Sequence, residues 1–334
     1  MSESSPRQRA PGPRRPPADR ALSVSGLMAR AARLHFEFGL THQDTAAALG
    51  ISRVKVTRLL KQARQAGIVK ITVVADISPF AELEERLAGA AGIREAIIVP
   101  VAGESGAARS MLARGAASYL ERVMRDGIVV AVGLSRTIAE MPRWLNSTRP
   151  TRASFVSLAG ALRVGGQGSG NPYQATDALA LAFGGTAEHL HAPVVVRSQA
   201  VAEELRSDPA IAQTLKRAAA ADMAFVGVGG REDRVDFNQG LCITAAEWAN
   251  LLDCGMVGDI GGRFFDRDGL QIRHEVNGRV IALDLDDFVK VPVRVLAAAG
   301  PSKVQAIAAA LRGGLGTVLV TDVDTAQALI KDLQ

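Results

Sequence analysis

From Ile77 onward the chain alternates between short runs of Val, Ile and Ala and stretches of ten or more residues with helical character. The runs fall at 96–101 (AIIVPV), 127–132 (GIVVAV), 153–158 (ASFVSL), 193–196 (PVVV), 223–228 (MAFVGV), 292–298 (PVRVLAA) and 316–321 (GTVLVT). A strand with one face in water alternates apolar and polar residues. These runs are apolar throughout and need cover on both faces. Strands of that kind, joined by helices, build a mainly parallel sheet between helical layers, so residues 76–334 are expected to form an α/β domain.

Residues 21–75 follow a different period. Leu27, Ala31, Leu34 and Phe38 are spaced as one face of an amphipathic helix, which Gly39 ends. Thr41 can cap the next helix, with Asp44 at the capping-box position, and Gly50 stops it after Leu49. Ser52 caps a third helix from Arg53 to Gln65, ended by Gly67. A short helix, a glycine turn and a second helix rich in cationic and hydroxyl side chains is the helix-turn-helix pattern of DNA-binding proteins. Its apolar stripe is Val56, Leu59, Leu60 and Ala63; Ser52, Arg53, Lys55, Thr57 and Arg58 lie on the other faces. Early residues of such a helix meet base edges, so Arg53 is placed for a guanine and Ser52 and Thr57 for bases or phosphates. Lys55 and Arg58 share that early DNA-facing side; Lys61 and Arg64 are candidates for the DNA backbone or for water alone, and Gln43 for a phosphate. The β-branched stretch 68–74 is expected to be a strand, forming a wing or the entry to the next domain.

Charge is divided to match. From Met1 to Lys70, Lys and Arg outnumber Asp and Glu thirteen to four, whereas the whole chain carries +5. The remainder is therefore net negative, and only the N-terminal part is suited to a polyanion. Residues 1–20 are rich in Pro, Arg and Ser and are expected to be a disordered basic tail. No apolar run approaches the length that spans a bilayer, and no apolar stretch follows the N-terminal arginines, which predicts a soluble, cytoplasmic protein. The two cysteines, Cys242 and Cys254, suggest neither a zinc site nor a disulfide framework and are expected to be buried thiols.

Three runs of the larger domain end in glycine-containing loops: Gly133-Leu-Ser-Arg-Thr-Ile138, the stretch Ala159 to Asn171, and Gly227-Val-Gly-Gly230. Ligands of open α/β sheets bind outside the carboxyl ends of the strands. At 133–138, Gly133 would let the backbone approach a phosphate, Ser135 and Thr137 add hydroxyls, and Arg136 adds charge. An ordinary turn with an N-cap explains the same residues. The dinucleotide fingerprint is not matched. Within Gly255 to Gly269, Asp259 and Arg263 are candidates for sugar hydroxyls and a phosphate. Asp266 and Asp268, which lack the other ligands of a calcium loop, read as a β-turn. Lys303 stands at a helix N-terminus, unfavourable against the helix dipole unless an anion faces it. No lysine occurs between Ile71 and Leu215, which excludes a Schiff-base lysine in the first half of the sheet. No Ser/His/Asp arrangement is evident among the five histidines, and no catalytic residue, metal site or cofactor is expected.

Taken together, these segments resemble the SorC family of sugar-binding transcriptional regulators. The resemblance is carried by Gly50-Ile-Ser-Arg53, Thr57-Arg-Leu-Leu60, Ala63-Arg64 and Gly67-Ile-Val69, then by Gly133 with Arg136-Thr137. It continues in Gly258-Asp-Ile260, Arg263-Phe-Phe-Asp266 and Gly269, and closes with Lys303, Ala306-Ile307, Leu311-Arg-Gly-Gly314 and Val320-Thr-Asp322. It implies a winged-type helix-turn-helix domain, a Rossmann-like effector domain related to sugar-phosphate isomerases, and a homo-tetramer. It also implies binding to double-stranded operator DNA controlled by a small sugar or sugar phosphate. By the family's pattern Ser135, Arg136, Thr137 and Lys303 would hold a phosphate, and Asp259 with Asn171 or Gln174 would hold hydroxyls. The sequence departs from that pattern at Gly133-Leu-Ser-Arg-Thr137, where the family often carries an aromatic. The competing reading is a sugar-phosphate isomerase or deaminase with a fused DNA-binding head.

Overall fold

Alanines and leucines spaced three and four apart close the first unit. The structure, a computed structural model, describes residues 24–69, 78–101, 103, 105–145, 150–162, 172–232 and 243–334. The chain divides into two compact units at Val74/Ala75. In the first, α1 (Val24–Ala32), α2 (His42–Leu49) and α3 (Arg53–Gln65) enclose Ala31, Ala32, Ala46, Val56, Leu59, Leu60 and Ala63. Thr41 accepts the Asp44 N–H (3.1 Å) and Ser52 the Lys55 N–H (3.2 Å), each meeting an otherwise orphan donor of a helix start. The Asp44 carboxylate takes the Thr41 hydroxyl (2.6 Å). Gly50 adopts φ 65° between α2 and α3, a left-handed turn that glycine enters without strain.

The first helix departs from expectation. After Ala32 it widens into a π-helical turn, Arg33–Glu37, with the Phe38 N–H reaching back five residues to Arg33 O. The wider turn rotates later side chains off the expected stripe. Phe38 is consequently 65% exposed rather than packed with Ala31. The expected wing and the basic tail lie outside the described residues. Ile68 and Val69 are not in a strand; both N–H groups bond Ala63 O.

In the second unit, β1 (Glu95–Val99), β2 (Val129–Val132), β3 (Ser154–Ser157), β4 (Thr186–Glu188), β5 (Met223–Val226), β9 (Val293–Ala297) and β10 (Val318–Asp322) form one parallel sheet in the order β1-β10-β9-β5-β2-β3-β4. Alternate residues point to two cores. Val130, Val132, Phe155, Phe225 and Val320 pack with Ala116, Leu120 and Leu179; Ala131, Val156, Ala224, Val226 and Leu319 pack with Ala218, Ile307 and Leu329. Cover on both faces is what unbroken apolar runs require.

The run at 193–196 departs from expectation. Residues 193–196 are not a strand of this sheet and contribute isolated bridges, Ala161↔Pro193 and Val195↔Val280. The edge position belongs to Thr186–Glu188, a short, largely exposed Thr-Ala-Glu segment that carries no buried-strand signal. A second sheet was not anticipated. In it β6 (Gly229–Gly230), β7 (Gly258–Ile260) and β8 (Arg263–Phe265) pair antiparallel. Gly261 (φ 62°) and Gly262 (φ 86°) turn the β7–β8 hairpin, the double positive φ that favours Gly-Gly in a two-residue loop. Asp266 and Asp268 do form a turn: Asp266 Oδ1 accepts the N–H groups of Asp268 and Leu270. Cys254 is exposed, against the expectation of a buried thiol; Cys242 lies outside the described residues. Among the described residues no helix is long and apolar enough to cross a membrane, and no cluster of His, Cys, Asp and Glu is arranged to hold a metal.

Candidate DNA-reading helix and effector site

Burial of Val56, Leu59, Leu60 and Ala63 fixes how α3 is rolled and leaves Ser52, Arg53, Val54, Lys55, Thr57, Arg58 and Lys61 exposed. Gln43 is exposed in the first turn of α2. Two of the expected contact groups already have partners. The Ser52 hydroxyl is the N-cap acceptor, and the Thr57 hydroxyl bonds Arg53 O (3.1 Å) and His42 Nδ1 (3.2 Å). Val54, passed over in the sequence as neither cationic nor core, is 79% exposed in the first turn.

In the larger unit the chain order creates a switch point. From β2 it winds outward through β3 to β4, then returns to β5 on the other side of β2 and winds away through β9 to β10. A crevice opens outside the carboxyl ends of the two strands where the winding reverses. Here those strands are β2 and β5, joined by Gly133 N–H to Phe225 O (2.9 Å). The loops leaving them are Gly133–Thr137 and Gly227–Gly230.

Three successive backbone positions organise the crevice. A Cβ on Gly227 would lie 2.6 Å from Ser135 Oγ, so only glycine lets the two loops meet. The Val228 carbonyl accepts from Lys303 Nζ at 2.6 Å. Gly229 pairs with Asp259 across the small sheet. Ser135, Lys303 and Asp259, distant in sequence, thus gather around 227–229. Neither the reversal nor the small sheet is readable from local periodicity, so periodicity presents these residues singly and only the family resemblance groups them.

The loop after β2 carries an ordinary cap. Ser135 Oγ accepts the N–H groups of Thr137 (3.2 Å) and Ile138 (3.3 Å) at the start of α6 (Arg136–Glu140). Those amides are therefore engaged, and the hydroxyl keeps its proton to donate. Thr137 is half-buried and Arg136 exposed. Asp259 is 5% exposed and its Oδ2 accepts the Gly262 N–H (3.0 Å), so one oxygen steadies its own hairpin. Gln174 is exposed in the first turn of α7 (Pro172–Phe183); Asn171 lies outside the described residues.

Arg263 does not join this group and instead supports the fold. It is 1% exposed, donates to Asn277 O (2.7 Å) and Ala282 O (2.8 Å), and pairs with Asp284 (2.9 Å). Burial pulls its pKa down to about 10, opposed by Asp284 and reinforced by Arg206. With Arg206, Arg273 and His274 it lines a separate recess of about 540 Å³.

A Ser/His/Asp alignment, not evident in the sequence, does occur. His189 bonds Asp177 Oδ1 (2.8 Å) and approaches Ser157 Oγ (3.5 Å). Ser157 is fully buried and bonded to Thr176 (3.1 Å), so the hydroxyl cannot meet a substrate.

The family model described as "Putative sugar-binding domain" matches residues 75–331, and a Crp-like helix-turn-helix model matches 22–83. The chain belongs to the SorC family of sugar-binding transcriptional regulators. The erythritol catabolism regulatory protein EryD of Brucella abortus is 30% identical over 306 residues, covering 91% of this chain and 96% of that protein. The transcriptional regulator LsrR of Escherichia coli K12 is 29% identical over 322 residues, covering 94% and 98%. A sugar-binding domain of a transcriptional repressor from Vibrio fischeri superimposes with TM-score 0.70 at 29% identity, over 75% of this chain and 98% of that one. The full-length sorbitol operon regulator SorC of Klebsiella pneumoniae shares the fold, with TM-score 0.71 at 21% identity over 91% and 98%. The chain is a transcriptional regulator that joins a DNA-binding helix-turn-helix to a sugar-binding domain, with DNA binding under effector control.

Proposed function

We propose that the effector is phosphorylated and binds at the β2/β5 switch point. The observation that carries this reading is the meeting of Ser135, Lys303 and Asp259 around 227–229. A phosphate there takes the Ser135 proton, the Thr137 hydroxyl and the charges of Arg136 and Lys303. Asp259 accepts from a sugar hydroxyl, and Gln174 or Asn171 holds another. Relatives named for erythritol and sorbitol metabolism support a sugar or polyol class. The ligand must bind the DNA-competent and DNA-incompetent arrangements differently, or no shift occurs. We infer a cytoplasmic homo-tetramer in which closure of the crevice resets the spacing of the DNA-reading helices.

The competing enzyme reading needs a free general base in the crevice. Asp259 is buried there and already holds the Gly262 N–H. The test is fluorescence anisotropy on DNA from upstream of the protein's own gene, at two salt concentrations, with a panel of sugars and sugar phosphates. A phosphorylated compound is expected to shift DNA affinity while its free sugar does not. The free sugar acting equally well would overturn the phosphate assignment, and turnover of any panel member would restore the enzyme reading.

A further inference from the structure

At about 100° per residue, the buried stripe of α3 defines an inward direction, and residues opposite to it enter a groove. Val54 lies about 10° from that outward direction, and Arg58 and Lys61 about 30° from it; Arg53, Lys55 and Thr57 lie about 70–110° away, on the flanks. The centre of the reading face in the first turn is therefore an apolar residue, 79% exposed among cations. Exposure of that valine contributes nothing to folding, and helix formation favours other residues there. In the major groove of B-DNA the apolar feature on a base edge is the thymine 5-methyl group.

We propose that Val54 selects a thymine by packing on its 5-methyl group. Arg58 and Lys61, on the same outward line, engage the neighbouring base edge and phosphate. Arg53 and Thr57, tied by the hydroxyl-to-carbonyl bond, form the flank facing one strand. The inference rests on the DNA-binding reading and adds a specificity-determining contact that carries no charge.

The test starts with a duplex selected from a random pool by the full-length protein. Each thymine is then replaced in turn by deoxyuridine, which removes only the methyl group. For the unmodified protein, affinity is expected to fall about four-fold at one thymine of each recognised repeat, the worth of one buried methyl. The Val54→Ala protein is expected to bind the thymine duplex about four-fold or more weakly and to be indifferent to deoxyuridine at that position. Its melting temperature should match the parent because Val54 is exposed. The proposal is overturned if no thymine shows the effect, or if Val54→Ala keeps the same sensitivity. Failure of the unmodified protein to select any sequence would overturn the regulator reading itself, and this inference with it.

Discussion

Replacing Gly227 with alanine tests the crevice directly. Gly227 is not at positive φ, so alanine suits its backbone and the cost is steric. The new Cβ would sit 2.6 Å from Ser135 Oγ and 3.0 Å from Ser135 Cβ, against an ordinary contact of 3.4 Å or more. Relief requires Ser135 to move by several tenths of an ångström. Its bonds to the Thr137 and Ile138 N–H groups, at 3.2 and 3.3 Å, are already long, so the cap of α6 is lost. Overpacking costs about 1–3 kcal/mol and a lost cap about 1 kcal/mol, giving about 2–4 kcal/mol in all. For a unit of this size the melting temperature should fall by about 5–10 °C. The effector response should weaken at least ten-fold, while DNA affinity without effector is unchanged. Calorimetry and anisotropy read the two effects. Gly89→Ala, with open space around its Cβ in α4 (Ala81–Ala91), is the control and should gain about 0.5–1 kcal/mol. Adding Ser135→Ala should recover part of the loss, since it removes the 2.6 Å contact. A Gly227→Ala protein that melts with the parent and responds normally refutes the packing of the two loops.

Other outcomes follow from single contacts. Lys303→Met should weaken a sugar-phosphate effector about ten-fold or more and leave DNA binding intact, read as a smaller ligand-induced thermal shift. Ser52→Ala removes the α3 cap at a cost of about 1 kcal/mol, and hydrogen exchange should show lost protection at Lys55 while α5 (Ser105–Val123) is unaffected. Glu247 completes a capping box with Thr244 and pairs with Arg279, whose side chain is 8% exposed. Burial works to raise its pKa, but Thr244 and Arg279 together hold it below the usual carboxylate value. Its contribution is present above about pH 4.3, the unperturbed value, and is lost as pH falls through the lower folded value. Glu247→Gln should cost about 2–3 kcal/mol at pH 7 by leaving a buried guanidinium unpaired, and acid unfolding should become shallower in that window.

Much of the architecture was present in local pattern. Gly50 between Leu49 and Ser52, and the stripe Val56, Leu59, Leu60 and Ala63, specify two helices and their mutual roll, because capping and 3.6-residue periodicity act within a few residues. The unbroken runs at 127–132 and 223–228 specify buried parallel strands for a similar reason: a two-sided cover leaves its mark on every residue. Where local pattern failed, a wider context was acting. Thr186–Glu188 joins the sheet through backbone bonds that its short, exposed side chains do not announce, and Phe38 is turned outward by a π-turn. Arg263 read as a ligand group because an arginine in a glycine-rich segment looks the same in sequence whether it faces a phosphate or two carbonyls.

Short-range periodicity, capping and charge are enough to specify the two helices around Gly50, the exposed basic face of α3 and the buried parallel class of the sheet. That β2 and β5 are neighbours at a reversal of winding, and that the residues grouped by family pattern, Ser135, Lys303 and Asp259, are brought around 227–229, comes from tertiary contacts that local pattern does not carry. That meeting depends on strand order and on a glycine with no room for a methyl group, and both are set by contacts between residues about 75 to 93 positions apart.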